Sequence, residues 1–597
     1  MVRESCGCME EQKMREKWIV QTRKGDFDGL SRELGVSPLV VRCMMNRGLT
    51  DREKMSQYLY GTLEDLHDPF LMKDMKEAVA LVKEANEKNQ KIAIASDFDC
   101  DGIFSGYILW KGLTRLGFDC RIFTPDRVLE GYGLNERIVD EAAAEERELL
   151  ITCDNGIAAG AEIAYAREKG MTVIVTDHHE VQGQMPEADV VLDPKRQDET
   201  YPFSGLCGGG VAFKFICALY DTFDVPEQEK WSLLEYTAIA TVADVMELVD
   251  ENRILVKYGL QALQKSENTG LRALLEVQGL AGKKLNAGHI GFILGPCFNA
   301  AGRIATVADS FSLLKEEDWE EALVKAEKLK KINEDRKTMT EQGAEEAFAK
   351  LAEQPLADIL ILLLPDTHES LVGIIAGRVK ERTGHPVIVF TRTEDGMVKG
   401  SGRSIEGYHM FQELMKCKDL MVRFGGHRMA AGMTLREEDL PELTRRLNEA
   451  SGLVEDDFCP VVYIDAPMPV GYATERLLTE FERMEPFGVG NPKPVFAEQH
   501  FRILRGRRLG KEKNVLKLFV ENDAGSRCDA MLFSQVEEFE AFVCDNWGER
   551  ELARMYEGRE NDIDVAFTYF PALNEYQGVR TIQIQVTGFC HVERRGQ

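Results

Sequence analysis

Three stretches decide how this chain reads: KIAIASDFDCDG at Lys91–Gly102, LLITCDNG at Leu149–Gly156, and MTVIVTDHH at Met171–His179. Each opens with a short apolar run bounded by polar residues, as expected of a strand buried on both faces. Around and between them, Ala78–Asn89, Ile103–Leu116 and Ala159–Lys169 carry helical spacing, and Val190–Leu192 reads as a further strand. Strands alternating with helices imply parallel pairing in a doubly wound α/β sheet. Ligands of such sheets bind outside the carboxyl ends of the strands. The chain places Asp97, Asp99 and Asp101 after the first run, Asp154 after the second, and Asp177, His178 and His179 after the third. TVADVMEL (Thr241–Leu248) adds Asp244 at the end of a helix-like stretch.

One DxD after a strand is commonly a turn or a helix cap, and a His pair can be a surface feature. Three such groups in order on successive strands converge on one rim. Carboxylates crowded there repel one another and raise their own pKa values, a penalty that divalent cations remove. Oxygen-rich donors with one or two imidazoles suit Mg²⁺ or Mn²⁺. Two such ions about 3.5–4 Å apart activate water and stabilise both oxygens of an in-line displacement at phosphorus. The expected chemistry is metal-dependent hydrolysis of a phosphodiester.

Composition sets the frame. A chain of 597 residues suggests roughly three to five domains. Its 44% hydrophobic and 29% charged residues are ordinary for a globular protein. No apolar run approaches the ~20 residues of a membrane helix, and the charged N-terminus lacks a signal-peptide core. A cytoplasmic protein without a membrane partner is expected. The fourteen cysteines are irregularly spaced, with Cys6 and Cys8 the closest pair, so buried reduced thiols are expected rather than a zinc ribbon. The net charge of −28 argues against a generally basic surface. It leaves room for a local basic channel, and bound cations would offset an acidic centre.

The chain divides into five segments. Residues 1–75 read as mostly helical, with amphipathic pieces at Ser37–Arg47 and Asp51–Tyr60. Residues 76–311 form the α/β domain that carries the acids. Residues 312–356 read as a long, solvent-exposed linking helix rich in Glu, Lys, Ala and Leu. Residues 357–455 form a second α/β domain, with strands at Asp358–Leu364 and Val387–Phe390 around a helix at Val372–Glu381. Gly-rich turns then lead to RFGGHRMAAG (Arg423–Gly432). Residues 456–597 turn to β-rich alternation, clearest at QIQV (Gln583–Val586), and suggest a small barrel.

These motifs resemble a known family. SDFDCDG, CDNG, TDHH and TVADVMEL look like the four ordered motifs of the DHH phosphoesterase superfamily, and GGHRMAAG is similar to the motif of its associated DHHA1 domain. FTPDRVLEGYGL (Phe123–Leu134), LGPCFNAAGR (Leu294–Arg303), VKGSGRS (Val398–Ser404) and EPFGVGNPKPVF (Glu485–Phe496) resemble the RecJ family of single-strand-specific exonucleases. The likeness runs over nearly the whole chain from about Trp18. It implies a 5′→3′ exonuclease on single-stranded DNA that uses two Mn²⁺ or Mg²⁺ ions, releases 5′-mononucleotides and serves DNA repair and recombination. A single-strand-binding protein and a helicase are its implied partners.

Residue by residue, the resemblance implies metal ligation by Asp99, Asp101, Asp154, His178 and Asp244. Asp154 would bridge the ions and Asp97 would stand behind them. His179 would meet the scissile phosphate beside Asp177, and Arg303 would face the substrate backbone. Arg127, Ser401 and Arg403 match positions for the terminal 5′-phosphate, and Gly425, Gly426 and His427 match the second domain's nucleic-acid contact. Cys297 stands where the family usually has Arg. In the last segment FRILRGRRLGKEKN (Phe501–Asn514) carries six basic residues and one acid. Arg505, Arg507 and Arg508 are candidate strand contacts there, with Phe501 and Phe519 as flanking aromatics, in the manner of an oligonucleotide-binding (OB) barrel. NEYQG (Asn574–Gly578) resembles a segment of that family's barrel. The alternatives are a superfamily member that cuts short RNAs or cyclic dinucleotides, an inorganic pyrophosphatase, and a non-catalytic replication scaffold. The barrel speaks against the first two, and the intact motif acids speak against the third.

Overall fold

The computed structural model describes residues 16–592, apart from 128–129, 182, 354, 394–395 and 577. Cys6 and Cys8, two residues of FTPDRVLEGYGL and Gln577 of NEYQG therefore lie outside the described residues. The twelve described cysteines are all free thiols, and no described helix is long and apolar enough to cross a membrane. A short strand, β1 (Lys17–Val20), precedes the first lobe. That lobe is built on five parallel strands: β2 (Ile92–Ser96), β3 (Cys120–Phe123), β4 (Leu149–Cys153), β5 (Thr172–Thr176) and β6 (Val190–Leu192), in the order β3-β2-β4-β5-β6. All five residues of both β2 and β4 are buried. One face packs Ile92, Ile94, Leu149 and Ile151 against helices Cys100–Arg115 and Gly208–Thr222. The other packs Ala93, Ala95, Leu150 and Val173 against Ile138, Ile163 and Ala166. Strand order reverses between β2 and β4, so the crevice of this doubly wound sheet opens where these two strands end. Asp97 and Asp154 follow those ends.

The linking helix is one unbroken element, Trp319–Ala352, capped by the Asp318 side chain on Glu321 N. It begins seven residues later than the start of its charged stretch, because Ala308–Leu314 forms a separate short helix. It is not solvated all round: Ala322, Ala326, Leu329, Gly343, Ala344, Ala347 and Leu351 are buried. A Cβ at Gly343 would sit 2.5 Å from Ile375 Cδ1 of the second lobe, so the helix and that lobe touch closely. The second lobe holds β7 (Leu360–Leu363), β8 (Val387–Arg392), β9 (Met397–Arg403), β10 (Met421–Gly426) and β11 (Ala430–Arg436) in the order β10-β11-β9-β8-β7. Only β7–β8 is parallel. The Gly-rich stretch expected as turns ahead of RFGGHRMAAG is strand β9 here.

The last segment opens with β12 (Val461–Ile464) and the short β13 (Ala466–Pro467). Five strands then close on themselves: β14 (Phe496–Leu509), β15 (Val515–Asn522), β16 (Arg527–Leu532), β17 (Asp564–Tyr576) and β18 (Val579–Cys590), with β14 pairing both β15 and β17. The N-terminal segment is not wholly helical, since β1 runs parallel to β12. Its helices Pro38–Asn46 and Arg52–Tyr60 match the two amphipathic pieces. Their apolar faces (Val40, Val41, Met44, Met55) join one core with Phe481, Phe496 and Phe501 of the barrel segment. The N-terminal helices and the barrel segment thus share one core.

Arg253, 3% exposed, ties both to the first lobe. Its guanidinium donates to the carbonyls of Tyr58, Arg483, Met484 and Glu485 at 2.8–2.9 Å and lies 3.9 Å from the Tyr58 ring centroid. Replacing it with an apolar side chain of similar length strands several carbonyls without a donor. Arg253→Met is expected to destabilise the protein by about 3 kcal/mol, read as a lower urea midpoint. A midpoint equal to wild type would show that the junction does not depend on this residue.

Candidate metal centre and phosphate pocket

The turn after β2 is tight because Gly102 lets the chain double back; a Cβ there would lie 2.6 Å from Asp97 O. Asp99 caps helix Cys100–Arg115, accepting from Gly102 N at 3.0 Å. Gly302 of NAAGR permits helix Gly295–Ile304 to close on this turn, since a Cβ would meet Phe98 O at 2.2 Å. Asn299 Oδ1 accepts from Cys100 N at 2.9 Å. Asp154 follows β4 in the left-handed region at φ 59°, a conformation that Asp and Asn tolerate better than most residues. Its N–H donates to Thr176 O at 3.1 Å. Asp244 sits at the C-terminal cap of helix Leu234–Ala243.

The tertiary fold collects these groups. His178 Nε2 lies 3.1 Å from Asp154 Oδ1, 3.5 Å from Asp101 Oδ2 and 3.7 Å from Asp244 Oδ2. Three donor sets interlock: Asp97, Asp99 and Asp154; Asp101, His178 and Asp244; and Asp154, His178 and His179. Asp154 joins the first set to the third, and His178 joins the third to the second. Asp97, expected behind the centre, joins Asp99 and Asp154 directly, and its Oδ2 has no hydrogen-bond partner. Burial and the neighbouring carboxylates push Asp97 and Asp244 up to about 8 and Asp101 to about 6, and Asp154 well above the carboxylate range. Burial and the adjacent His179 push His178 down to about 3, leaving a neutral imidazole able to ligate. Buried acids without counter-cations, a neutral imidazole among them and an orphaned carboxylate oxygen fit divalent cations held by oxygen and nitrogen.

Asp177 behaves differently. Its Oδ1 accepts from His178 N, His179 N and His179 Nδ1, and its Oδ2 from Ile157 N, at 2.7–3.2 Å. Burial opposes its charge, but the His179 hydrogen bond holds it below the usual range. Both oxygens are therefore taken up, Oδ1 in orienting His179, whose ring is 46% exposed. Two features escaped the sequence reading. The Gly208–Gly210 run opens a helix whose Gly208 and Gly209 N–H groups grip Asp101 at 2.7 and 2.8 Å. The second is Tyr132, whose hydroxyl donates to Asp154 O and stands 3.3 Å from His179 Nδ1. CGGG before a long apolar helix was the visible signal for the first; Tyr132 stood inside FTPDRVLEGYGL without a role.

Cations face this centre. Arg127 stacks over the Phe98 ring at 4.6 Å. Arg303 donates to Ser370 O at 2.8 Å, crossing from the first lobe to the second. Burial and the charges of Arg127, Arg336 and Arg403 lower it to about 10. On β9, Ser401 and Arg403 share one side, with Arg403 Nη1 donating to Ser401 Oγ at 3.0 Å. Both sit against the start of helix Val372–Thr383, where a Cβ at Gly373 would meet Arg403 Nη2 at 2.9 Å. Arg127, Arg303 and Arg403 form no ion pair among the described residues. Gly425 and Gly426 pair with Gly432 and Ala431 in the β10–β11 hairpin, and His427 N donates to Ala430 O at 2.7 Å. A Cβ at Gly425 or Gly432 would meet nothing within 4 Å, so bare backbone is presented there.

Two expectations are corrected. Arg508 is held by Glu540 at 2.7 Å and Glu537 at 3.0 Å, whereas Arg505 and Arg507 are exposed. Phe501 is wholly buried in the barrel core and offers no face to a base, while half-buried Phe519 lies under Arg505 at 5.2 Å. Cys297, a departure noted from the sequence, is buried, with Sγ accepting from Gln278 Nε2 at 3.2 Å and donating to Ile293 O.

Acids and an imidazole at the ends of adjacent parallel strands, with a second lobe carrying the GGHRMAAG hairpin, define a DHH phosphoesterase. Models of the DHH family N-terminal domain, the DHHA1 domain and the RecJ OB domain match residues 91–241, 357–452 and 464–588. The single-stranded-DNA-specific exonuclease RecJ of Bacillus subtilis is 36% identical over 532 residues, 88% of this chain and 67% of that protein. Its Escherichia coli namesake is 32% identical over 598 residues, 95% and 98% of the two chains. A crystal structure of RecJ with Mn²⁺ from Thermus thermophilus superposes with a TM-score of 0.79 at 28% identity, covering 97% of this chain and 80% of that one. This chain belongs to the RecJ family.

The raised acids have a measurable consequence. In metal-free protein the folded state keeps a proton on Asp97 up to about pH 8, while the unfolded chain releases it near pH 4. The folded state binds more protons in that window, so this contribution to stability falls as pH rises from about 4 to 8, by up to about 1.4 kcal/mol per unit. Asp97→Asn removes the effect. Its stability relative to wild type, measured in chelator by urea unfolding, is expected to climb across that window. A constant difference would show that Asp97 is ionised in the fold.

Proposed function

We propose that this protein is a Mn²⁺- or Mg²⁺-dependent exonuclease specific for single-stranded DNA, cutting from the 5′ end to release 5′-mononucleotides in DNA repair and recombination. The observation that carries the reading is the pairing of two opposite devices across the lobes: interlocked donor sets around Asp154 and His178, and arginines that form no ion pair among the described residues. Asp97, Asp99, Asp101, Asp154, His178 and Asp244 hold the ions, with Asp154 shared. Bound ions supply charge neutralisation and an activated water for attack at phosphorus. His179, its Nδ1 fixed by Asp177, presents Nε2 to the scissile phosphate.

Arg303 holds the backbone and positions the lobes through Ser370. Arg127, Ser401 and Arg403 take the terminal 5′-phosphate, for which a guanidinium fork is suited. The start of helix Val372–Thr383 adds backbone N–H groups on the same side. Bare backbone at Gly425, Gly426 and His427 admits the strand closely. Arg505 and Arg507 supply barrel contacts farther along it. A single-strand-binding protein and a helicase are the partners that would expose such strands.

Nucleotide release from 5′-labelled single strands and matched duplexes, with and without Mn²⁺, tests the reading. Wild type is expected to degrade the single strand only with the ion, and Asp154→Ala is expected to do so at least about a hundredfold more slowly with its fold intact. Turnover near wild type in Asp154→Ala would refute the site. For the 5′ pocket, Arg403→Ala is expected to slow degradation of 5′-phosphorylated ends about ten- to hundredfold, the loss of one charge-assisted contact. The effect on 5′-hydroxyl ends should be much smaller. Equal loss on both ends would remove Arg403 from the pocket.

A further inference from the structure

The segment that carries Asp244 is not held by its own lobe alone. After helix Leu234–Ala243 the chain turns through Val245, a β-branched residue at φ 60° that is 65% exposed. Such a residue persists in the left-handed region only where surrounding structure over-determines it. From the same lobe, Met246 N donates to Thr241 O and Asn252 Nδ2 to Glu247 O, both at 3.1 Å. The first lobe also buries Leu248 in its core, and the barrel segment adds to this support. Gly488 and Asn491 exchange backbone hydrogen bonds at 2.9 and 3.1 Å, forming a two-residue turn at Val489–Gly490. The tip of this turn docks on the Asp244 segment: Leu248 N donates to Val489 O at 2.7 Å.

Two glycines make the docking possible. A Cβ at Gly490, which sits at φ 71°, would lie 2.9 Å from Glu247 Cβ, and one at Gly488 would lie 2.7 Å from Leu248 Cδ1. Asn491, 1% exposed, braces the turn from behind. Its Nδ2 donates to Met484 O and Pro486 O, and its Oδ1 accepts from Arg47 Nε and Tyr58 Oη, at 2.7–3.1 Å. The turn is therefore rigid, anchored to the N-terminal helices, and pressed against residues three and four positions beyond Asp244.

We infer that the Gly488–Asn491 turn of the barrel segment is a positioning element for the metal centre, setting the place of Asp244 and coupling barrel docking to metal affinity. This rests on the reading of Asp244 as a metal ligand. Supports behind a ligand commonly change metal affinity by about 10- to 100-fold when lost.

The test is Mn²⁺ titration of the full-length, DNA-free protein by calorimetry. Gly490→Ala is expected to weaken binding of one ion about tenfold, to raise the Mn²⁺ concentration for half-maximal cleavage of a short oligonucleotide, and to leave KM and the rate at saturating Mn²⁺ near wild type. If Gly490→Ala does not fold, Gly488→Val carries the same expectation. Phe539→Leu, a barrel-core change whose ring partners are Phe542, Phe567 and Phe589, is expected to leave Mn²⁺ affinity unchanged. Wild-type Mn²⁺ affinity in a folded turn variant would overturn the inference, as would an equal loss in Phe539→Leu. Asp244→Asn separates the two levels. If it weakens Mn²⁺ binding while the turn variants do not, only the coupling falls. If it does not weaken binding, the assignment of Asp244 falls and takes the coupling with it.

Discussion

The structure depends on one electrostatic constraint: Asp101, Asp154 and half-buried Asp244 surround the imidazole of His178, and buried Asp97 lies beside Asp154. Water cannot screen charges placed so deep, and each acid raises the others. Much of the surrounding architecture supports this arrangement. The N-terminal N–H groups of helix Gly208–Thr222 grip Asp101, where the helix dipole also favours negative charge. Gly208 has no room for a Cβ, which would stand 2.7 Å from Asp154 Cβ. Buried Asn155 donates to Ala95 O and Cys153 O, fastening the ends of β2 and β4 together. The site is preorganised by backbone, which does not reorganise when ions arrive.

The second constraint is the opposite charge a short distance away. Arg127, Arg303, Arg336 and Arg403 depress one another or are depressed by burial, which costs stability unless an anion enters between them. In a chain of net charge −28, these four arginines form a local concentration of positive charge at the junction of the lobes. Crowded acids and arginines without an ion pair among the described residues thus stand close together at one centre.

The barrel is less separable than its sequence texture suggests. Its core is continuous with the N-terminal helices, Arg253 fastens it to the first lobe, and its Val489–Gly490 turn reaches the residues after Asp244. Chain order hides this: residues more than 400 positions apart share a core, and the segment farthest from the acids in sequence helps to hold one of them.

Much of the centre was legible from sequence for a definite reason. Parallel strands buried on both faces read as apolar runs, and the residues after each run must lie at one edge of the sheet. Asp99, Asp101, Asp154, His178, His179 and Asp244 therefore announced themselves in order, and the linking helix showed its length in its composition. Other features needed the tertiary structure. A glycine-rich stretch read as turns became β9, because pairing rather than intrinsic preference decides such strands. Alternation cannot tell an inward aromatic from an outward one when the register is unknown, and so Phe501 went into the core. A basic run does not show which of its charges meet acids on a later helix, as Arg508 does with Glu537 and Glu540. The sequence by itself determined the chemistry, because ligand identity is local to each strand end. The tertiary structure alone decided which acids come together, which arginines form no ion pair among the described residues and what touches the segment after Asp244, because these are contacts between residues that only folding brings together.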